Sequence, residues 1–161
     1  MDVAPLIIES DFEFSPAIVW DALTDPELVS GWLALATITP ELGGEYTLSW
    51  AYPSGAQALS GRITQFEPDR MLRVTNAADG ELLAELTEFA GGLRGTSTRL
   101  RVTQTTGSAK ATAQAIRADW LTAFDQLDGL LRGHPVDWPA WDRDYREAWS
   151  RHFREVRNTT A

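Results

Sequence analysis

The stretch Asp119-Trp120-Leu121-Thr122-Ala123-Phe124-Asp125-Gln126-Leu127-Asp128-Gly129-Leu130-Leu131 decides the fold. Within residues 109–132, Ile116, Trp120, Ala123, Phe124, Leu127, Leu130 and Leu131 recur at a period near 3.6, so one broad face of a long helix is apolar. Gly133 stands where a helix C-cap belongs. An apolar face of this length must be covered by another layer, and the residues before it supply one.

Upstream the period is two. Tyr46, Leu48, Trp50 and Tyr52 alternate with Glu45, Thr47, Ser49 and Ala51, as in a half-buried antiparallel strand opened by Gly43-Gly44. Leu59, Gly61 and Ile63 share one face of the next strand, Leu72, Val74 and Asn76 one face of another. Leu82, Ala84 and Leu86, then Thr98, Leu100, Val102 and Gln104, form the last inward sets. Pro53-Ser54-Gly55, Asp79-Gly80, Gly91-Gly92 with Gly95, and Thr106-Gly107 are the turns between and after them. Residues 6–14 read as a first strand with Ile8, Ser10, Phe12 and Phe14 on one face. A helix comes next, with Ser15 as N-cap, Pro16 in the first turn and Ile18, Val19, Ala22 and Leu23 as its stripe. Thr24-x-x-Glu27 predicts a capping box for a second short helix that Gly31 ends, and Trp32, Leu33 and Leu35 read as an apolar cluster on a connecting segment. The order strand, two helices, five strands, long helix predicts an α+β fold with a six-stranded antiparallel sheet.

Residues 134–161 differ. Trp141, Tyr145, Trp149 and Phe153 recur every four residues, with Trp138 near the same face, while five arginines offset five acids. This is an amphipathic helix whose aromatic side chains, at roughly 150–250 Å² each, exceed what a soluble monomer leaves exposed in one patch. Either it docks on its own domain or it forms a homodimer or partner interface through Trp138, Trp141, Tyr145, Trp149 and Phe153. The predicted organisation is a domain over residues 1–133 and a helical extension over 134–161.

Composition limits the chemistry. The 161 residues suit one domain with an extension. There is no cysteine, so disulfides, thiolate nucleophiles and cysteine-ligated zinc are excluded. The net charge of -9, with Lys110 the only lysine, argues against nucleic acid. No basic region followed by an apolar run opens the chain and no apolar stretch is long enough to span a bilayer, so a cytoplasmic location without membrane insertion is expected. His134 and His152 are the only histidines, are expected at the surface, and have no metal-ligand spacing around them; no metal or cofactor is expected. No Gly-x-Ser-x-Gly elbow or phosphate loop occurs. Asn158-Thr159-Thr160 matches a glycosylation sequon, a triplet common by chance.

Taken together, Val19-Trp20-Asp21-Ala22-Leu23-Thr24-Asp25-Pro26, Gly31-Trp32, Gly43-Gly44-Glu45-Tyr46, Gly61-Arg62-Ile63 through Glu67-Pro68, Gly95-Thr96-Ser97-Thr98-Arg99-Leu100 through Gln104-Thr105-Thr106-Gly107, and Trp120 with Leu127 and Leu130-Leu131 resemble the SRPBCC or START-like superfamily. The resemblance is to the branch named after the activator of heat-shock-chaperone ATPase homologue, and covers roughly residues 5–133. It implies a helix-grip fold: a curved antiparallel sheet wrapped around a long C-terminal helix, with a cavity between. Relatives of this kind bind lipids, hormones or polyketides, a minority are cyclases or hydrolases, and many bacterial ones are stand-alone domains.

Three functions are in view. The first is binding of a small hydrophobic molecule, for which Trp32, Tyr46, Trp50, Asn76, Gln104 and Trp120 are the cavity candidates: four aromatics for an apolar body and two amides that need polar partners. The second is a protein-interaction module or chaperone-ATPase cofactor, with the aromatic extension as docking helix. Enzyme action comes third, since no convergent acid–base pair can be named and no catalytic residue is assigned. Each aromatic also fits a filled core, and each amide a water-satisfied strand end. Arg73 alternates out of the inward set and is expected on the surface.

Overall fold

A computed structural model describes residues 6–50, 57–76, 80–105 and 110–159. The Pro53-Ser54-Gly55 and Thr106-Gly107 turns, Asp79, Thr160 and the side chains of Trp50, Leu59 and Asn76 lie outside the described residues. The strands are β1 (Leu6–Phe12), β2 (Leu35–Ile38), β3 (Glu45–Trp50), β4 (Gln57–Glu67), β5 (Met71–Asn76), β6 (Gly80–Ala90) and β7 (Thr96–Thr105). The helices are α1 (Pro16–Thr24), α2 (Pro26–Val29), α3 (Lys110–Leu131) and α4 (Trp141–Thr159), the last preceded by a 3₁₀ turn at Trp138–Ala140. All strands join one antiparallel sheet in the order β1-β7-β6-β5-β4-β3-β2. The fold is the expected α+β sheet with a long helix, but it has seven strands rather than six.

The additional strand is β2. Its four residues, an exposed Leu35 (61%) and the Pro40 after it hide it as a connector, yet Thr37 pairs with Thr47 and Ile38 with Tyr46. The predicted capping box is also displaced by one residue. Asp25, not Thr24, caps α2, its Oδ1 accepting the Glu27 N–H at 2.9 Å. Pro26 sets the first helical position and forces the residue before it into extended backbone, so Asp25 becomes the cap. Thr24 stays in α1 and donates to the Trp20 carbonyl. Gly31 is selected by close packing: a Cβ there would lie 2.9 Å from Leu130 Cδ1 and 3.3 Å from Pro135 Cβ.

Thr64 is a β-bulge between β4 and β5, where the register skips from Ile63↔Val74 to Gln65↔Arg73. One extra residue reverses which face the rest of the strand presents to the core. Phe66 therefore joins Ile63 on the inner face, packing edge-on against Trp20 of α1 at 5.3 Å between ring centroids. Phe12 of β1 meets Phe124 of α3 in the same way at 6.0 Å. Leu48, Ile63, Val74, Leu100, Val102 and Leu127 complete a core from which water is almost entirely excluded. Outside, Arg99 pairs with Asp11 and Arg101 with Glu9 across the β1–β7 ladder, and Arg73, half-buried, pairs with Glu81. Gly133 ends α3 at φ +93°, with the His134 N–H on the Gly129 carbonyl and the Gly133 N–H on Leu130, a Schellman closure.

Candidate functional site

The six cavity candidates separate into two places. Trp32 and Tyr46 sit under the C-terminal end of α1, where the last carbonyls of a helix lack partners within it. Asp25 N–H takes the Asp21 carbonyl, the Trp32 indole N–H takes Ala22 at 2.7 Å, and the Tyr46 hydroxyl takes Leu23 at 2.7 Å. Both side chains are sealed, Trp32 at 0% and Tyr46 at 1% exposure, and desolvation pushes the Tyr46 phenol well above its ordinary range. Their polar atoms are spent on fastening α1 to the sheet.

Gln104 and Trp120 meet elsewhere. Gln104 belongs to a cross-strand row with Leu6, Leu82, Val74 and Ile63, all apolar. Trp120, buried on α3, donates its indole N–H to Gln104 Oε1 at 2.6 Å. Indole nitrogen is a donor only, so the amide must turn its oxygen to Trp120 and its NH₂ away. Among the described residues no acceptor takes that NH₂. Gln104 is half-buried, near the end of β7, at the same end of the sheet as Asn76 of β5 with β6 between them. Trp50 closes β3 at that same end of the sheet.

The extension lies along α3. Trp138 donates its indole N–H to the Ser30 carbonyl at 2.7 Å, and the Val136 N–H bonds the Gly31 carbonyl. Trp141 is buried, its indole N–H on Gln126 Oε1 at 2.8 Å, while Gln126 gives its own N–H to the Trp32 carbonyl. Trp149 donates to Asp119 Oδ1 at 2.7 Å and stacks on Phe153, whose carbonyl accepts from Gln114. Tyr145 lies over Gly129, where a Cβ would come 3.5 Å from its hydroxyl. His152 is not at the surface as expected: its side chain is 16% exposed, between Asp125 at 2.8 Å and Glu155 at 3.7 Å. Burial pushes the Asp119 carboxyl up to about 6, opposed by the Trp149 hydrogen bond.

Sequence reasoning missed Gln126, Asp119 and Asp125. Gln126 had a visible signal, a lone amide between Ala123 and Leu127 on the apolar stripe. Asp119 had none, because a carboxylate beside a core tryptophan reads as the start of the solvent face. Among the described residues no three side chains are grouped to hold a metal ion, and no helix is long and apolar enough to cross a membrane.

The fold recurs in solved structures. A Mesorhizobium loti crystal structure is 22% identical, with a TM-score of 0.62 over 82% of this chain and 99% of its own. A Bordetella parapertussis solution structure is 21% identical, with a TM-score of 0.65 over 98% of this chain and 86% of its own. A Rhodobacter sphaeroides crystal structure is 28% identical, with a TM-score of 0.58 over 80% of this chain and 92% of its own. No curated protein matches. The family described as activator of Hsp90 ATPase homolog 1-like protein matches residues 13–132, from the end of β1 to the end of α3, and the chain belongs to that family.

Proposed function

We propose that the domain binds a small molecule with an apolar body and one hydrogen-bond acceptor, such as a carbonyl. The observation that carries this reading is the Gln104–Trp120 pair. An amide held by a buried indole offers two N–H donors from a row that is otherwise aliphatic, and a lone donor among apolar groups selects an acceptor on an apolar ligand. The backbone of Trp50 and of Asn76 lies at the same end of the sheet; Trp32 and Tyr46 serve the site only by holding α1 in place.

The test compares 2-acetylnaphthalene with 2-ethylnaphthalene by titration calorimetry on the wild type and Gln104→Glu. The carboxylate keeps an acceptor for Trp120 and removes the donors. The ketone is expected to bind the wild type about tenfold more tightly than the hydrocarbon, and the preference to vanish in the variant. Equal affinities in the wild type, or no binding of either compound, would refute the reading. A cofactor role toward a chaperone ATPase has the family description in its favour, and capture of a chaperone by the immobilised full-length chain would support that role instead.

A further inference from the structure

We infer that α4 is a pH-sensitive clasp on α3, closed most firmly when Asp119 carries a proton and loosened when it ionises. The geometry is that of a half-buried carboxyl in the α3–α4 seam with a single neutral donor, the Trp149 indole N–H at 2.7 Å.

Among the described residues no cation pairs with it: Arg151 and Arg154 of α4 are exposed, and burial and the Trp149 hydrogen bond are the influences on its carboxyl. Along the seam, α4 brings Tyr145, His152 and Glu155 and α3 brings Asp125. His152 is already held by Asp125 and Glu155, and desolvation and the nearby Asp144 and Asp125 carboxylates push the Tyr145 phenol up, so that it stays neutral. Arg117, on α3, turns to the Ile7 carbonyl of β1. The β1 acids Glu9 and Asp11 are paired with Arg101 and Arg99 of β7. One indole hydrogen bond is poor compensation for a charge partly removed from water.

The linkage has a definite sign. Burial raises the Asp119 carboxyl from 3.8 to about 6, so the closed seam holds a proton that the open seam releases. Closure is then strongest below the open-state value and weakens as pH rises toward the closed-state value. From about pH 5 to about pH 7 the closing constant falls by about tenfold. His152 lies in the same seam against Asp125 and Glu155, so it is removed from the test.

Hydrogen–deuterium exchange of the α4 backbone amides in the full chain, corrected for the intrinsic pH dependence of exchange, reads the opening directly. All proteins carry His152→Gln to silence that group. Opening of α4 is expected to increase about tenfold from about pH 5 to about pH 7, and Asp119→Asn, which keeps the acceptor for Trp149, to abolish the increase. Trp149→Phe withdraws the one hydrogen bond that favours the ionised form, so the midpoint is expected to move upward. An unchanged pH response in Asp119→Asn, or a midpoint that stays or falls in Trp149→Phe, would overturn the inference.

Discussion

Replacing Tyr46 by phenylalanine removes one oxygen from an enclosed polar contact in the core. The hydroxyl is 1% exposed with its residue and donates at 2.7 Å to the Leu23 carbonyl, in the last turn of α1. The ring and its packing remain, so no cavity larger than the lost oxygen opens. The change falls on the Leu23 carbonyl, left in the interior without the donor that satisfied it. An orphaned buried acceptor costs about 1–3 kcal/mol, and about 2 is the expected loss here, because the enclosure leaves water no route to replace the hydroxyl. For a chain of this size that corresponds to a fall in Tm of about 4–8 °C. Urea unfolding followed by far-UV circular dichroism should show a lower midpoint with an unchanged slope, since the surface exposed on unfolding is the same. The naphthyl ketone should bind as before. A loss below about 0.5 kcal/mol would mean that the Leu23 carbonyl finds another donor and that Tyr46 is not its cap; weakened ketone binding at full stability would return Tyr46 to the ligand site.

Other perturbations test the remaining contacts. Gln126→Leu strips a partner from both the Trp141 indole and the Trp32 carbonyl at once, and should cost about 2–5 kcal/mol in urea unfolding, more than Tyr46→Phe. Gly44→Ala drives a Cβ to 2.0 Å from the Thr39 carbonyl and should destabilise by more than about 3 kcal/mol. Gly43→Ala, one residue earlier at φ +83° in open space, should cost only about 1–2 kcal/mol for left-handed backbone; equal losses would contradict the tight β2–β3 turn.

Much of the fold was legible because the controlling signals are local. Pro16 and the Ile18–Leu23 stripe mark α1, the Tyr46-Leu48-Trp50 alternation marks β3, and Gly133 ends α3 as its position predicts. The failures are those of short or competing signals. β2 is four residues long with Leu35 facing solvent, and only pairing to β3 makes it a strand. The α2 cap depended on a choice between Thr24 and Asp25, settled by the backbone constraint that Pro26 places on its predecessor. At the site, Gln104 and Trp120 were each visible as inward-facing residues, but their pairing required the rotation of α3 over β7. Likewise, the aromatic period of α4 announced that its face must be covered. Which groups on α3 would meet it depended on Gln126 and Asp119, whose neighbours lie 15 and 30 residues away.

One buried chain of hydrogen bonds ties the helices to one another. The Trp32 indole holds the Ala22 carbonyl, Gln126 holds the Trp32 carbonyl, and Trp141 holds Gln126, so α1, the segment before β2, α3 and α4 are links of one sequence of contacts. The links share a side chain: the Gln126 amide accepts from the Trp141 indole through its oxygen and donates to the Trp32 carbonyl through its nitrogen. Although the family match ends at residue 132, the start of the last helix is therefore bound to the domain, and local opening of α4 beyond Trp141 is separable from the loss of Trp141 itself, which should melt together with the core.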